Sequence, residues 1–123
     1  MILLDTNALL WLGVGHRRSL PLKKWGGRLH ISPANLLEVQ FLLEADRIRL
    51  RQGATISGFG ADERWTLDDP PSVPWFDEAR GVSWTRDPFD RLLVAHARYR
   101  GWRFATADGA LLDRLSDSEV LEL

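Results

Sequence analysis

The feature that most constrains this chain is an alternation of short strand-like runs with helix-length segments. Residues 2–4, 28–32, 64–67, 102–106 and 120–123 read as strands, and most of the sequence between them carries helical spacing. Parallel strands need a crossover of a dozen or more residues, which a helix supplies. The pattern therefore predicts an α/β fold built on βαβ units and a parallel sheet, with functional residues gathered beyond the carboxyl ends of the strands. At 123 residues the chain suits one domain, residues 1–123, and is too short for two.

Helix starts are the most legible punctuation. Asp5-Thr6-Asn7 ends the first apolar run and caps a helix through Ala8 to Leu12; Ser19 to Trp25 suggests a second short helix, stopped by Gly26-Gly27. Ser32-Pro33 starts the next helix, because a hydroxyl at the N-cap accepts an orphan N–H and proline at the first turn loses none. Its Leu36, Leu37, Val39, Phe41, Leu42 and Leu43 form a broad apolar surface expected to be largely buried. From Gly53 to Gly81 the expectation is an irregular or short-helical piece, a strand at 64–67 and a short helix at 73–79. Asp87-Pro88 starts a helix that Phe89, Leu92, Leu93, Ala97 and Tyr99 continue until Gly101, and a last helix is expected over 108–115.

Composition removes several kinds of chemistry. With no cysteine, there is no disulfide framework, thiolate metal site or thiol nucleophile, so any metal is held by oxygen or imidazole. No run approaches a membrane span and the start lacks a leader pattern, so a cytoplasmic protein beginning at Met1 is expected. The net charge of −1 makes nucleic-acid binding a matter of local charge. Such a bias exists, since Arg17, Arg18, Lys23, Lys24, Arg28, Arg47, Arg49 and Arg51 face only Glu38, Glu44 and Asp46 within residues 17–51. A solvated face is the plainer reading of that half.

Four acids fall where this architecture converges: Asp5 after the first strand, Glu38 on the helix after the second, Asp90 in the first turn of a later helix, and Asp108 after the following strand. Asp5 and Asp108 also read as helix caps, and Asp87 with Asp90 as a capping pair at a positive helix end. Glu38 resists such an account. It lies inside Leu36-Leu37-Glu38-Val39 with no lysine or arginine three or four residues away. An unpaired buried carboxylate costs several kcal/mol or protonates unless a cation is present, and a divalent ion with oxygen ligands removes the difficulty.

The start Met-Ile-Leu-Leu-Asp-Thr-Asn-Ala-Leu-Leu-Trp, the stretch Ile-Ser-Pro-Ala-Asn-Leu-Leu-Glu, the run Arg-Asp-Pro-Phe-Asp-Arg-Leu-Leu-Val-Ala-His-Ala and the late Ala-Thr-Ala-Asp-Gly resemble, in order, the motifs of PIN domains, particularly VapC-like toxins of type II toxin–antitoxin pairs. The resemblance spans Asp5 to Asp108 and is loose over residues 53–84. It implies a three-layer α/β/α fold around a parallel sheet of about five strands. It also implies a Mg2+- or Mn2+-dependent endoribonuclease leaving 5′-phosphate and 3′-hydroxyl ends, held in check by an antitoxin. Carried over by position, Asp5, Glu38 and Asp90 become the metal-binding catalytic acids, with Asp108 as the fourth. Thr6, Asn7 and Thr106 become supports of the acids or of metal-bound water, and Asp87 a cap beside them.

Arg17, Arg18, Arg47, Arg49, Arg86 and Arg91 are candidates for RNA phosphate contacts. His16, His30 and His96 show no ligand spacing and read as structural. Six tryptophans are many for this length, so Trp65, Trp75 or Trp84 are candidates for burial by a partner, an antitoxin segment or a second copy. Two other function classes deserve weighing. A phosphoacceptor signalling domain needs adjacent acids after the first strand and a late lysine, yet Asp5 stands alone and no lysine follows Lys24. A non-catalytic protein-binding module would tolerate loss of any acid. Within the enzyme class, a nuclease of RNA maturation or of DNA is the near alternative.

Overall fold

Five strands form one parallel sheet: β1 (Ile2–Leu4), β2 (Leu29–Ile31), β3 (Thr66–Leu67), β4 (Arg103–Thr106) and β5 (Val120–Glu122). The computed structural model describes residues 1–123 and orders them β3-β2-β1-β4-β5, with every neighbouring pair parallel. Helices α1 (Thr6–Val14), α2 (Leu20–Lys23), α3 (Pro33–Glu44), α4 (Ile56–Ala61), α5 (Ser72–Arg80), α6 (Pro88–Arg100) and α7 (Gly109–Leu112) fill the connections. The chain steps outward from β1 to β3, then returns across the sheet to start β4 on the other side of β1. That reversal opens a crevice beyond the carboxyl ends of β1 and β4.

Side-chain alternation along the strands divides the core between two faces. Leu3 and Phe104 join Trp75, Val82, Leu93, Val94 and Leu111 on one side of the sheet, the side of α5, α6 and α7. Ile2, Leu4, Ile31 and Ala105 join Leu9, Leu12, Leu22 and Trp65 on the other, the side of α1 and α2. Helices on both faces give the expected three layers. No helix is long and apolar enough to cross a membrane.

The punctuation works as the sequence implies. Asp5, Ser32, Asp87 and Asp108 each accept backbone N–H groups at the start of α1, α3, α6 and α7. Gly101 closes α6 at a left-handed φ of 70°, a conformation that glycine adopts without a Cβ clash. The histidines are structural too. His96 is fully buried against Trp75, with Nε2 2.7 Å from Asp68 Oδ2, and Arg100 grips the same carboxylate through Nε at 2.9 Å and Nη2 at 3.1 Å. His30 is buried against Trp102, the ring centroids 4.2 Å apart.

Two expectations are corrected. Trp65 and Trp75 are core residues, 4% and 5% exposed, their indole N–H groups donating to the carbonyls of Phe59 and Leu92; Trp84, partly buried, packs against the same core as Trp75. These rings therefore need no partner to cover them. The apolar surface of α3 is not largely buried either: Val39 is fully enclosed, but Leu37 and Phe41 are 59% and 52% exposed.

Candidate active site

Asp5 is set at the carboxyl end of β1, where its own N–H donates to the Ala105 carbonyl on β4 and its Oδ1 accepts from Ala8 N at 2.6 Å. The helix cap predicted for this residue is thus real, and it fixes the carboxylate at the switch point. Asp5 is 8% exposed. Burial pushes its carboxyl up from 3.8 to about 6; hydrogen bonds from Thr106 and Ala8 oppose the shift, and the negative charge of Asp108 adds to it.

Glu38 reaches the same place from the second turn of α3. The Thr6 hydroxyl donates to Glu38 Oε1, and Thr6 Oγ1 accepts from Asn35 Nδ2 at 3.1 Å. Asn35, fully buried, also donates to the Leu4 carbonyl and accepts from Ser32 N at 2.7 Å, closing a capping box with Ser32. A chain of hydrogen bonds therefore ties the end of β1, the start of α1 and the start of α3 to the Glu38 carboxylate. Burial raises the Glu38 carboxyl above its ordinary 4.5, the Thr6 hydroxyl lowers it, and the charges of Asp87 and Asp5 raise it.

Asp90 occupies the first turn of α6. Burial is the largest cause that lifts its carboxyl from 3.8 to about 7, followed by repulsion from Asp87, Glu38, Asp108 and Asp5. That list places all the predicted acids in one electrostatic neighbourhood. Asp87 is exposed and caps α6, its Oδ1 accepting from Phe89 N at 2.8 Å and Asp90 N at 3.2 Å. Asp108 caps α7 through Oδ1, accepting from Ala110 N at 2.9 Å and Leu111 N at 3.3 Å, while its own N–H donates to Thr106 Oγ1 at 3.0 Å. Thr106 Oγ1 thus receives the Asp108 N–H and lowers the Asp5 carboxyl. Asn7 is exposed.

The acids have no cationic partner. The chain's ion pairs join Arg64 to Asp62, Arg80 to Asp77, Arg98 to Glu119, and His96 and Arg100 to Asp68. Buried Asp5 and partly buried Glu38 and Asp90, with exposed Asp87 and Asp108 nearby and no lysine or arginine paired to them, are a donor set suited to a hard divalent cation. No group of three or more acidic or histidine side chains is arranged to hold a metal ion in this structure; one or two carboxylates completed by water and substrate oxygens are the coordination that magnesium commonly takes. On donor chemistry and charge, the residues fit the ion.

The predicted arginines separate into two groups. Arg86 and Arg91 adjoin the acids in sequence, and Arg91 is held by its Nε donating to the Thr85 carbonyl at 2.8 Å. Arg17 and Arg18 follow the far end of α1 from Asp5, where Arg18 lies 4.9 Å from the Trp11 ring centroid. Arg49 lines a cleft of about 460 Å3 beside the end of α1. That cleft and a second of about 550 Å3 near Trp25 contain none of the four acids. Sequence reasoning passed over Asn35, although its spacing from Ser32 is the capping-box signal.

The model of the PIN domain family matches residues 2–117. Among solved structures, the chain is similar to a toxin–antitoxin complex from Klebsiella pneumoniae at 18% identity and a TM-score of 0.69, covering 100% of both chains. It is equally similar to VapBC2 from Rickettsia felis bound to a DNA fragment from their promoter, at 18% identity and a TM-score of 0.69, covering 100% of this chain and 99% of the other. FitAcB from Neisseria gonorrhoeae follows at 20% identity and a TM-score of 0.57, with 99% and 97% covered. These likenesses establish a shared fold. No protein in the curated collection matches the sequence.

Proposed function

The chain belongs to the PIN domain family, and from that premise we propose that it is a Mg2+- or Mn2+-dependent endoribonuclease, the toxin of a type II toxin–antitoxin pair. The observation that carries the reading is the convergence of Asp5, Glu38, Asp90 and Asp108, with Thr6 next to Asp5 bonded to Glu38, the acids near enough to repel one another, and no lysine or arginine paired to any of them. Asp5, Glu38 and Asp90 would hold the cation, with Asp108 as the fourth acid. When bound, the ion supplies Lewis-acid stabilisation of phosphate charge and lowers the pKa of attacking water.

The chain's own groups have separable parts in this reading. Thr6, steadied by Asn35, aims one oxygen of Glu38, and Thr106 steadies Asp5 while receiving the N–H of Asp108. Asp87 holds the first turn of α6, and with it Asp90, through its cap. Arg86 and Arg91 stand beside Asp87 and Asp90 in sequence and would contact RNA phosphates; Arg17 and Arg18, at the other end of α1, would reach only a longer strand. The partner is a cognate antitoxin, and the solved toxin–antitoxin complexes of the same fold support that reading.

A cleavage assay on RNA with added Mg2+ or Mn2+ tests the function, with Asp5→Asn and Glu38→Gln beside the wild type. Both changes are near-isosteric. Metal-dependent cleavage by the wild type and loss of at least about a hundredfold in each variant is the expected result. Equal cleavage by all three proteins would place the activity elsewhere.

A further inference from the structure

A cavity of about 550 Å3 lies where the carboxyl end of α1 meets α2 and the amino ends of β2 and β3. Asp5 starts α1 and Gly15 ends it, so the nine-residue helix sets this cavity about 14 Å from the acids. Leu12, Leu22, Leu29 and the rings of Trp25 and Trp65 give apolar walls, while Lys23, Arg28 and Glu63 give charged ones. Arg64 borders the cavity too, but its guanidinium is spent on Asp62 and on the Leu12 and Gly13 carbonyls. Lys23 and Arg28 form no ion pair, and neither does Glu63. Two free cations therefore stand against one free carboxylate.

Trp25 adds an independent observation. Its indole Nε1 is buried and no protein oxygen accepts from it, whereas Trp65 Nε1 donates to the Phe59 carbonyl. Buried indole N–H groups usually find a partner, and leaving one unmade costs free energy. The backbone at this atom is Gly27, so close that a Cβ would stand 2.7 Å from Nε1. Gly26 and Gly27 are exposed and bear no side chains, so the wall beside the unpartnered donor is the part best able to yield.

We infer that this cavity binds a nucleoside 5′-monophosphate, free or as the phosphorylated end of an RNA strand. Lys23 and Arg28 take the phosphate, the base lies on the apolar walls, and a base acceptor atom receives the Trp25 N–H as the glycine turn shifts. The volume falls in the range of small-molecule sites, which are mostly apolar with a few placed polar groups. Inorganic phosphate would leave the apolar walls wet, and an aliphatic anion would bring no acceptor to the indole. A base offers both a π face and ring acceptors. None of the four acids lines the cavity, so this site does not depend on the ribonuclease function proposed above.

The test is isothermal titration of the full chain in excess chelator with adenosine 5′-monophosphate, adenosine and inorganic phosphate. The monophosphate is expected to saturate one site, with adenosine and phosphate each at least about tenfold weaker. Arg28→Gln and Lys23→Gln, both at exposed positions, should each weaken binding about tenfold at unchanged Tm. Trp25→Phe keeps a ring without the N–H and should weaken it about fivefold. A 5′-phosphorylated oligoribonucleotide that displaces the monophosphate, where its 5′-hydroxyl twin does not, identifies the ligand as an RNA end; displacement by neither identifies the free nucleotide. Absence of saturation at millimolar monophosphate overturns the site, as does wild-type affinity in both Arg28→Gln and Lys23→Gln. Phosphate binding as tightly as the monophosphate would reduce it to a simple anion site. Loss of binding in Asp5→Asn but not in Arg28→Gln would move the nucleotide to the acids. Cleavage enters none of these readouts, so failure of the ribonuclease proposal leaves them unaltered.

Discussion

Thr6 and Glu38, 32 residues apart, are joined by a hydrogen bond from the hydroxyl to Oε1. The same hydroxyl oxygen receives Asn35 Nδ2, so Thr6 converts a buried scaffold amide into a fixed carboxylate position. Thr6→Val keeps the shape and removes both roles. It leaves an Asn35 donor without this acceptor and frees Glu38, whose carboxyl then rises further because the Thr6 hydroxyl is what lowers it. A stability loss of about 1–3 kcal/mol is expected by denaturant titration. A weaker apparent Mn2+ affinity should accompany it, with Thr6→Ser restoring both.

Asn35 has the larger structural burden. Its side chain satisfies Ser32 N, the Leu4 carbonyl and Thr6 Oγ1 from a fully buried position. Asn35→Ala removes the capping box and leaves buried polar groups unpaired, so a loss of about 2–4 kcal/mol is expected. Urea unfolding of the metal-free protein measures it; a loss below about half a kcal/mol would show that water replaces the amide without cost.

The raised carboxyls of Asp5 and Asp90 make the metal-free protein sensitive to alkali. Their folded values, about 6 and about 7, lie above the ordinary 3.8, so the folded state holds protons that the unfolded chain has released. The stability they contribute is full below about pH 4 and is lost as pH rises through about 6 and 7. For buried Asp5, the difference between 3.8 and about 6 corresponds to roughly 3 kcal/mol. In chelator, Tm should therefore decline between pH 5 and pH 8 by more than in Asp5→Asn. Saturating Mn2+ should reduce the decline, since a cation bound only by the folded state stabilises it. A wild-type curve parallel to that of Asp5→Asn would remove Asp5 as the source.

Legibility in the sequence followed how local the determining chemistry was. Ser32-Pro33, Asp87-Pro88 and Gly101 mark helix ends through contacts within three or four residues, and each was readable. The six residues of α4 include none that is buried, so that helix carried no periodicity to read, whereas the strand expected at 64–67 is present as β3. Trp65 and Trp75 were misjudged because their indoles find carbonyls at Phe59 and Leu92, partners that only the folded chain identifies. The α3 surface misled for a related reason: apolar residues on several sides of a helix do not say which side meets the sheet. Glu38 was legible as an anomaly, whereas the Thr6 and Asn35 contacts that place it join elements far apart in sequence.

The buried His96 depends on one external acceptor. Asp68 Oδ2 lies 2.7 Å from His96 Nε2; burial raises the Asp68 carboxyl, but the hydrogen bonds and charges of Arg100 and His96 outweigh it and hold the carboxyl below its ordinary 3.8. Asp68→Ala strands a ring N–H in the core and should cost about 2–3 kcal/mol. Asp68→Asn keeps an acceptor and should cost less. Arg100, 30% exposed at its side chain, retains water when Asp68 is lost, so the histidine governs the effect. Thermal unfolding of the two variants separates them; equal losses would assign the effect to the arginine pair.

Asp87 and Asp90 belong to one helix start but differ in their bonds, and that difference separates capping from chemistry. Asp87 spends Oδ1 on the N–H groups of Phe89 and Asp90, a task that asparagine performs nearly as well. Asp87→Asn should therefore fold with a Tm close to wild type. Its charge, however, is the largest repulsion on Asp90 and on Glu38. Removing it lowers both carboxyls, so they ionise at lower pH, and the acid limb of the cleavage profile should move to lower pH. Asp90→Asn retains the helix start but removes a proposed ligand, so cleavage should fall by at least about a hundredfold at every pH. Should Asp87→Asn abolish cleavage and Asp90→Asn spare it, Asp87 would be the ligand and Asp90 the supporting residue, reversing the assignment that the family resemblance implies.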